Sequence, residues 1–181
     1  MRLVILGGSG SGKSTQAEML STNLNIPIIS TGEVLRKAIS NSSDLGVRAQ
    51  PYLESGELVP DEMMIEFIRN YLKEPEFQTG WLLEGYPRTA FQAEELDFLL
   101  EELGQQLNWA IYLKVTEDAM ITRCLDRSLP DDQPEIIQRR IELFYKRTVP
   151  ILEYYDRRCH LLKIDGVQSS EEVQRSIRNL I

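Results

Sequence analysis

The stretch Gly7-Gly8-Ser9-Gly10-Ser11-Gly12-Lys13-Ser14 fits G-x-x-x-x-G-K-[ST], a spacing suited to holding a phosphate chain. Glycines let the backbone curl until consecutive N–H groups converge on one anion, where a Cβ would block the approach. A helix starting at the end of the loop adds its positive dipole end and unpaired N–H donors. Lys13 supplies a compact charge for β- and γ-phosphates, and the Ser14 hydroxyl can ligate Mg²⁺. A flexible glycine turn is the plainer alternative. By average residue usage the full pattern arises by accident in on the order of 1 in 100 chains of this length. Context favours nucleotide binding: Leu3-Val4-Ile5-Leu6 reads as a buried parallel strand, and Ala17, Met19, Leu20 and Leu24 fall at helical spacing.

Charged residues elsewhere fit the same chemistry. In Glu84-Gly85-Tyr86-Pro87-Arg88-Thr89, Gly85 and Pro87 make a tight turn after an apolar run. Arg88 opens a helix, and Gln92 lies one turn on, on the same face. Glu84 ends the strand, where phosphate-loop enzymes place a Mg²⁺-organising carboxylate; its plainer role is to cap local N–H groups. In Ser30-Thr31-Gly32-Glu33-Val34-Leu35-Arg36, Thr31 and Gly32 can start a helix, with Arg36 as a solvated arginine. Arg123 and Arg127 share a helix face at i, i+4, Asp131-Asp132 follow, and Arg139-Arg140 lie one turn into a long helix. Alone these would be a salt-bridged surface. Beside a phosphate loop they look like a phosphate clamp. Cys124 and Cys159 lack metal-like spacing and read as reduced thiols. His160 is the lone histidine and joins no cluster.

These residues need a scaffold that brings them together. Strand-like runs at 3–6, 27–29, 81–83, 109–113 and 161–164 alternate with helical patterns near 13–24, 61–73, 89–103, 117–127, 134–156 and 169–180. Such alternation predicts an α/β fold with a parallel sheet whose strand C-terminal ends share the ligand-binding edge. The rhythm breaks between Thr31 and Pro60. There, Val34, Leu35, Ala38 and Ile39 form one face and Leu45, Ala49, Tyr52 and Leu53 another, with Gly46, Pro51 and Gly56 as punctuation. This predicts a helical insertion of the kind that carries functional work.

At 181 residues the chain fits one domain with an insertion or two. It can bury roughly 70% of its unfolded surface and needs no staples. A net charge of −8 disfavours nucleic acid or anionic membrane as a partner, although local arginines can overrule the global field. The apolar run at the N-terminus is too short for a signal peptide, and no run approaches the ~20 apolar residues of a membrane span. A cytoplasmic location is expected.

Together these stretches resemble the adenylate kinases of the nucleoside monophosphate kinase family. The matching pieces are the phosphate loop with Thr15-Gln16-Ala17, Ser30-Thr31-Gly32-Glu33 with Leu35-Arg36, and Gly56-Glu57-Leu58-Val59-Pro60-Asp61. Further matches are Glu84 to Thr89 with Gln92, Arg123, Asp131-Asp132-Gln133, Arg140 and Asp165-Gly166, in the right order along nearly the whole chain. The resemblance implies a three-layer α/β phosphate-loop NTPase fold with a five-stranded parallel sheet flanked by helices. The core would be 1–29, 60–127 and 133–181, with a monophosphate-binding insertion at 30–59 and a short lid at 128–132. It also implies reversible, Mg²⁺-dependent transfer from ATP to AMP giving two ADP, by a monomer. ATP would lie on Gly10, Ser11, Gly12, Lys13, Ser14, Thr15, Arg123 and Gln168, with Arg123 stacked over its adenine. AMP would lie on Thr31, Arg36, Glu57, Leu58, Val59, Gly85, Tyr86, Pro87, Arg88 and Gln92. The catalytic set would be Lys13, Arg88, Arg123, Arg127 and Arg140, and Ser14 and Glu84 would hold Mg²⁺, partly through water.

Within that resemblance, Thr31 replaces the alanine of similar kinases acting on UMP and CMP, and Gln92 replaces their asparagine. A glutamine amide offers a donor and an acceptor to the Watson–Crick edge of adenine. Three departures stand out. Glu84 is one methylene longer than the family's usual aspartate. Leu129 stands where an arginine is usual, so either Arg127 or Arg139 compensates or the enzyme is slow. The lid shrinks to Ser128-Leu129-Pro130. The alternatives are a kinase for another monophosphate, a kinase for a small alcohol with Glu33 as base, and a weakly active adenine-nucleotide sensor. Transfer to AMP needs no general base, because the acceptor oxygen is already anionic, so positioning and electrostatics suffice.

Overall fold

The computed structural model describes residues 1–127, 129 and 131–181. Five strands among them, β1 (Arg2–Leu6), β2 (Ile28–Ser30), β3 (Trp81–Glu84), β4 (Trp109–Lys114) and β5 (Leu161–Asp165), form one sheet in the order β2-β3-β1-β4-β5. All neighbouring pairs are parallel, with Ile5 beside Glu84 and Leu6 beside Tyr112. The chain leaves β1 toward one edge and, after β3, moves toward the other. The carboxyl end of β1 is therefore the point where the winding reverses, the place where open α/β sheets bind ligands. Gly7 follows directly.

The pleat of β1 explains its unbroken apolar run. Leu3 and Ile5 pack with Leu82, Ile111 and Ile164 under α1 (Lys13–Leu24) and α9 (Ser170–Arg178). Val4 and Leu6 point the other way, into a core with α4 (Asp61–Lys73), α5 (Ala90–Glu102) and α8 (Val149–Asp156). Both faces are covered, so no position on this strand gains from being polar. Each such side chain contributes roughly 1.5–3 kcal/mol by leaving water. A third cluster joins Met120 and Cys124 of α6 (Glu117–Arg127) to Ile137 and Ile141 of α7 (Pro134–Leu143). No helix of the described residues is long and apolar enough to cross a membrane.

The segment between β2 and α4 is a helical pair, α2 (Thr31–Ser40) and α3 (Asp44–Ser55), which pack on each other. Gly46 and Pro51, expected as punctuation, lie inside α3. Gly46 is buried against α2, where a Cβ would stand 2.1 Å from the Ala38 carbonyl oxygen, so only glycine permits this approach. Pro51 and Val47 are both exposed, so water can reach the Val47 carbonyl that loses its helical donor. Ser43 caps α3 by accepting the Gly46 N–H at 3.2 Å, and Gly56 ends it with φ 73°.

Element bounds shift slightly from expectation. The second strand is Ile28–Ser30, and Thr89 caps α5, its Oγ1 accepting the Gln92 N–H at 3.2 Å. The long helix expected over 134–156 runs as α7, a π-turn at Phe144–Thr148, and α8. The lid expected at 128–132 falls partly on Ser128 and Pro130, which lie outside the described residues.

Candidate active site

The glycine loop leaves β1 and enters α1 at Lys13. Gly10 has φ +78°, and a Cβ there would stand 2.2 Å from the Met120 carbonyl oxygen, so α6 lies directly against the loop. The Ser11 N–H donates to the Gly8 carbonyl at 3.2 Å, and the Lys13 Nζ folds back to the same oxygen at 2.7 Å. The first turn of α1 carries no acidic residue, so no side chain of that turn answers the positive end of its dipole. Burial pulls the Lys13 ammonium down to about pKa 8; Glu84 opposes this, while Arg88 and Arg127 add to it. A cation in that condition is stabilised by an arriving anion.

Facing the loop is the end of β3. Glu84 is buried, and its Oε2 accepts from Ser30 Oγ at 2.6 Å. Thr31 Oγ1 donates to the Glu84 carbonyl at 3.2 Å, which ties α2 to the strand. Arg88 is fixed from several sides. Its Nε donates to the Gly85 carbonyl at 2.9 Å and its backbone N–H to Gln92 Oε1 at 2.8 Å, while its carbonyl accepts from Thr148 Oγ1 at 3.0 Å. Burial lowers the pKa of its guanidinium; Glu84 opposes, while Arg140 and Arg36 add to the effect. Like charges gathered around one spot ask for an anion.

The π-turn explains how one helical run serves the site twice. In an unbroken α-helix, Thr148 would point about 80° away from Arg140, at 100° per residue over two turns and a fraction. The extra residue of a π-turn takes back about 100°, which brings both onto nearly one face. Thr148→Val keeps the shape and removes the donor. It should weaken binding of an anion at the Arg88 side of the site about 3- to 10-fold, the worth of one hydrogen bond, and leave binding at the glycine loop within about 2-fold. Thr148→Ser should restore it in binding titrations; unchanged binding at the Arg88 side in the valine variant would refute the positioning role.

The far wall is built on an acidic pair. Arg127 grips Asp132 through Nε and Nη2, both at 2.8 Å, and this hydrogen bonding raises the arginine's pKa. Arg140 Nη2 makes a very short contact with Asp131 Oδ2, and its Nη1 lies 3.6 Å from Asp132 Oδ1. Arg36 reaches Asp131 at 3.9 Å. Burial pushes the Asp131 carboxyl up, but the Arg140 hydrogen bond and charge outweigh it and hold the group below its ordinary value. Its Oδ1 is buried with no hydrogen-bond partner among the described residues. Arg123 donates to the Gly166 and Val167 carbonyls at 3.0 and 3.4 Å, where β5 ends. Arg139 turns away: its Nε pairs with Glu57 at 2.6 Å and its Nη1 with Glu142 at 3.3 Å. Of the two candidates to compensate for Leu129, Arg127 lines the cavity and Arg139 does not.

All these walls enclose one cavity of about 400 Å³. Lys13, Arg36, Arg88, Arg123, Arg127 and Arg140 line it, against the carboxylates of Glu57, Glu84 and Asp131. The field inside is thus opposite to that of a chain with net charge −8. Gly10, Gly12, Ser14, Thr15, Thr31, Leu58, Val59, Gly85 and Gln92 are also in the lining. The Ser11 hydroxyl is buried, with no hydrogen-bond partner among the described residues. Tyr86 is buried, its hydroxyl donating to the Gln92 carbonyl at 3.1 Å, and Pro87 lines only a small adjoining cleft. Gln168 and Glu33 are exposed and outside the lining. Glu33, the base expected of an alcohol kinase, is therefore not placed at this site. Leu35, Leu53 and Met64, read from sequence only as apolar packing or given no role, supply an apolar wall beside Thr31 and Gln92.

Residues 5–160 match the family model described as "Adenylate kinase". The chain is 69% identical over 181 residues to "Adenylate kinase 2" of Nostoc sp. (strain PCC 7120), covering 100% of this chain and 98% of that protein. It is 56% identical over 177 residues to "Adenylate kinase 2" of Synechocystis sp. (strain PCC 6803), covering 98% of each. It is 41% identical over 177 residues to "Adenylate kinase 1" of the same Nostoc strain, covering 98% of this chain and 96% of that protein.

Proposed function

Because the chain belongs to the adenylate kinase family, it catalyses reversible phosphoryl transfer from ATP to AMP giving two ADP, and we propose that the six cations of the central cavity carry that reaction. Lys13 and the loop N–H groups hold the β- and γ-phosphates of ATP. Arg88 and Arg36 hold the AMP phosphate. Arg140 and Arg127, braced by Asp131 and Asp132, face the transferring phosphoryl between them, with Arg127 in the part left by Leu129. Arg123, anchored at the end of β5, covers the ATP base. Residues 30–59 act as the monophosphate-binding unit and 128–132 as the lid. The observation that carries this reading is the gathering of Lys13, Arg36, Arg88, Arg127 and Arg140 around one cavity of an otherwise acidic chain. Charge-assisted contacts of this kind stabilise spread phosphoryl charge and hold the reacting oxygens in line.

The acceptor base lies among Thr31, Leu35, Leu53, Val59, Met64 and Gln92, with Leu58 and Val59 offering backbone groups. Mg²⁺ enters with ATP. Among the described residues no group of three or more His, Cys, Asp or Glu side chains could hold a metal alone. That fits an ion bound chiefly by phosphate and water, with Ser14 and, through water, the buried Glu84 completing its shell. When present it neutralises phosphate charge. The chain brings six cations to the cavity by itself, enough to clamp the phosphates, so a monomer is taken as the working unit. Two free cysteines fit a reducing cytoplasm.

The test is ADP production from ATP with AMP, dAMP, GMP, CMP and UMP in turn, with and without Mg²⁺. AMP should lead kcat/KM by at least about 10-fold, and Mg²⁺ removal should abolish turnover. Equal use of CMP or UMP would overturn the acceptor assignment.

A further inference from the structure

Gln92 is almost fully buried at the end of the AMP side of the cavity, and both ends of its amide are engaged. Its Oε1 accepts the Arg88 backbone N–H at 2.8 Å, and its Nε2 donates to Asp61 Oδ1 at 2.8 Å. The same Asp61 oxygen accepts from Thr89 Oγ1 at 3.1 Å, and Thr89 in turn accepts the Gln92 N–H. A reversed amide would set NH2 against the Arg88 N–H and oxygen against a carboxylate. Both contacts would become repulsive, and the site is buried. One hydrogen on Nε2 and one lone pair on Oε1 remain for a ligand, and Gln92 lines the cavity.

We propose that Asp61 is a specificity-determining positioning residue: it locks the Gln92 amide in the one orientation that matches adenine against 6-oxopurines. Adenine presents a donor at N6 and an acceptor at N1. The locked amide answers with Oε1 and Nε2 in that order. Hypoxanthine presents an acceptor at O6 and a donor at N1, and needs the amide reversed. Asp61 touches no substrate; it acts through Gln92. The inference rests on Gln92 being the adenine-reading residue.

The experiment compares kcat/KM for AMP and for IMP, which lacks the 2-amino group of GMP and so isolates the donor–acceptor order. In Asp61→Ala the Arg88 N–H alone holds the amide, and the AMP:IMP ratio should fall about 10-fold, within the range that one well-formed base contact discriminates. Asp61→Asn keeps an acceptor oxygen for Thr89 and Gln92 and should stay within about 3-fold of the parent ratio. Asp61→Ser lacks the reach to Nε2 but keeps a polar start to α4, and serves if the alanine variant does not fold. A merely structural role would lower both substrates together and leave the ratio unchanged. An unchanged ratio in the folded alanine or serine variant overturns the lock, as does an asparagine variant no more selective than alanine. Gln92→Ala separates the two ideas. If it lowers the ratio while Asp61→Ala does not, the lock falls and the adenine reading stands; if it leaves the ratio unchanged, both fall.

Discussion

Arg88→Ala should lower kcat/KM for AMP by about 10³-fold or more while the protein stays folded and binds ATP within a few-fold of the parent. The rate loss follows from Arg88 holding the AMP phosphate whose oxygen attacks: losing it misplaces the acceptor and leaves its charge unanswered, on the scale of about 10³–10⁵ in turnover that an arginine on reacting phosphates contributes. Retention of the fold follows from which atoms of Arg88 are used for structure. Thr148 binds its carbonyl and Gln92 its N–H, and alanine keeps both. The Nε contact to the Gly85 carbonyl, worth about 1 kcal/mol, and the attraction of Glu84 are lost, while removing the charge relieves the cost of burying it and the repulsion from Arg140 and Arg36. Arg88→Lys should recover little, because a point charge cannot replace a planar fork on a phosphate. Stopped-flow ADP formation with saturating ATP, alongside thermal melting, reads both quantities. Near-normal turnover in a folded Arg88→Ala protein would contradict the assignment.

What was legible in the sequence was what lies close along the chain. The phosphate loop is eight consecutive residues, so its chemistry and its place between β1 and α1 follow from spacing alone. Arg123 and Arg127, one turn apart on α6, were bound to share a face, and both line the cavity. Adjacent residues defeat the same logic. Arg139 and Arg140 differ by 100° of helix, and pattern does not say which turns inward. Packing decides: α7 lies against α3, so Arg139 meets Glu57 and Arg140 meets Asp131. Gly46 and Pro51 read as breakers because local propensity disfavours them, yet a close helix crossing requires one and solvent tolerates the other. Thr148 was hidden because a π-turn resets its phase. Asp61 entered only as the last residue of the stretch from Gly56, with no partner assigned, because Thr89 and Gln92 are 28 and 31 residues away along the chain.

The electrostatic design has a cost that pH makes measurable. The loop without its nucleotide holds Lys13 at a pKa of about 8, below its ordinary 10.5, chiefly through burial. Between those values the unfolded chain keeps a proton that the folded chain has shed. Stability of the free protein should therefore gain from this group as pH rises from about 8 toward 10.5, and the penalty should be fully present below about 8. Tyr86, Tyr154 and Tyr155, raised above 10 by burial, oppose the gain only above that pH. The contribution of Lys13 is isolated by subtracting the urea midpoints of Lys13→Ala from those of the parent at pH 7.5 and 9.5. The difference should move in the parent's favour at the higher pH; parallel profiles would contradict it. Nucleotide binding has the opposite sign, because phosphates need the charged ammonium. Affinity of the free enzyme for ATP should fall as pH rises through about 8, where the phosphates are already ionised and Lys13 is the group that changes. Lys13→Ala should abolish that dependence and cut turnover by about 10³-fold, comparable to losing a preorganised charge contact to the transferring group. The two slopes share one cause. The buried ammonium weakens the empty protein, and an arriving phosphate chain relieves it.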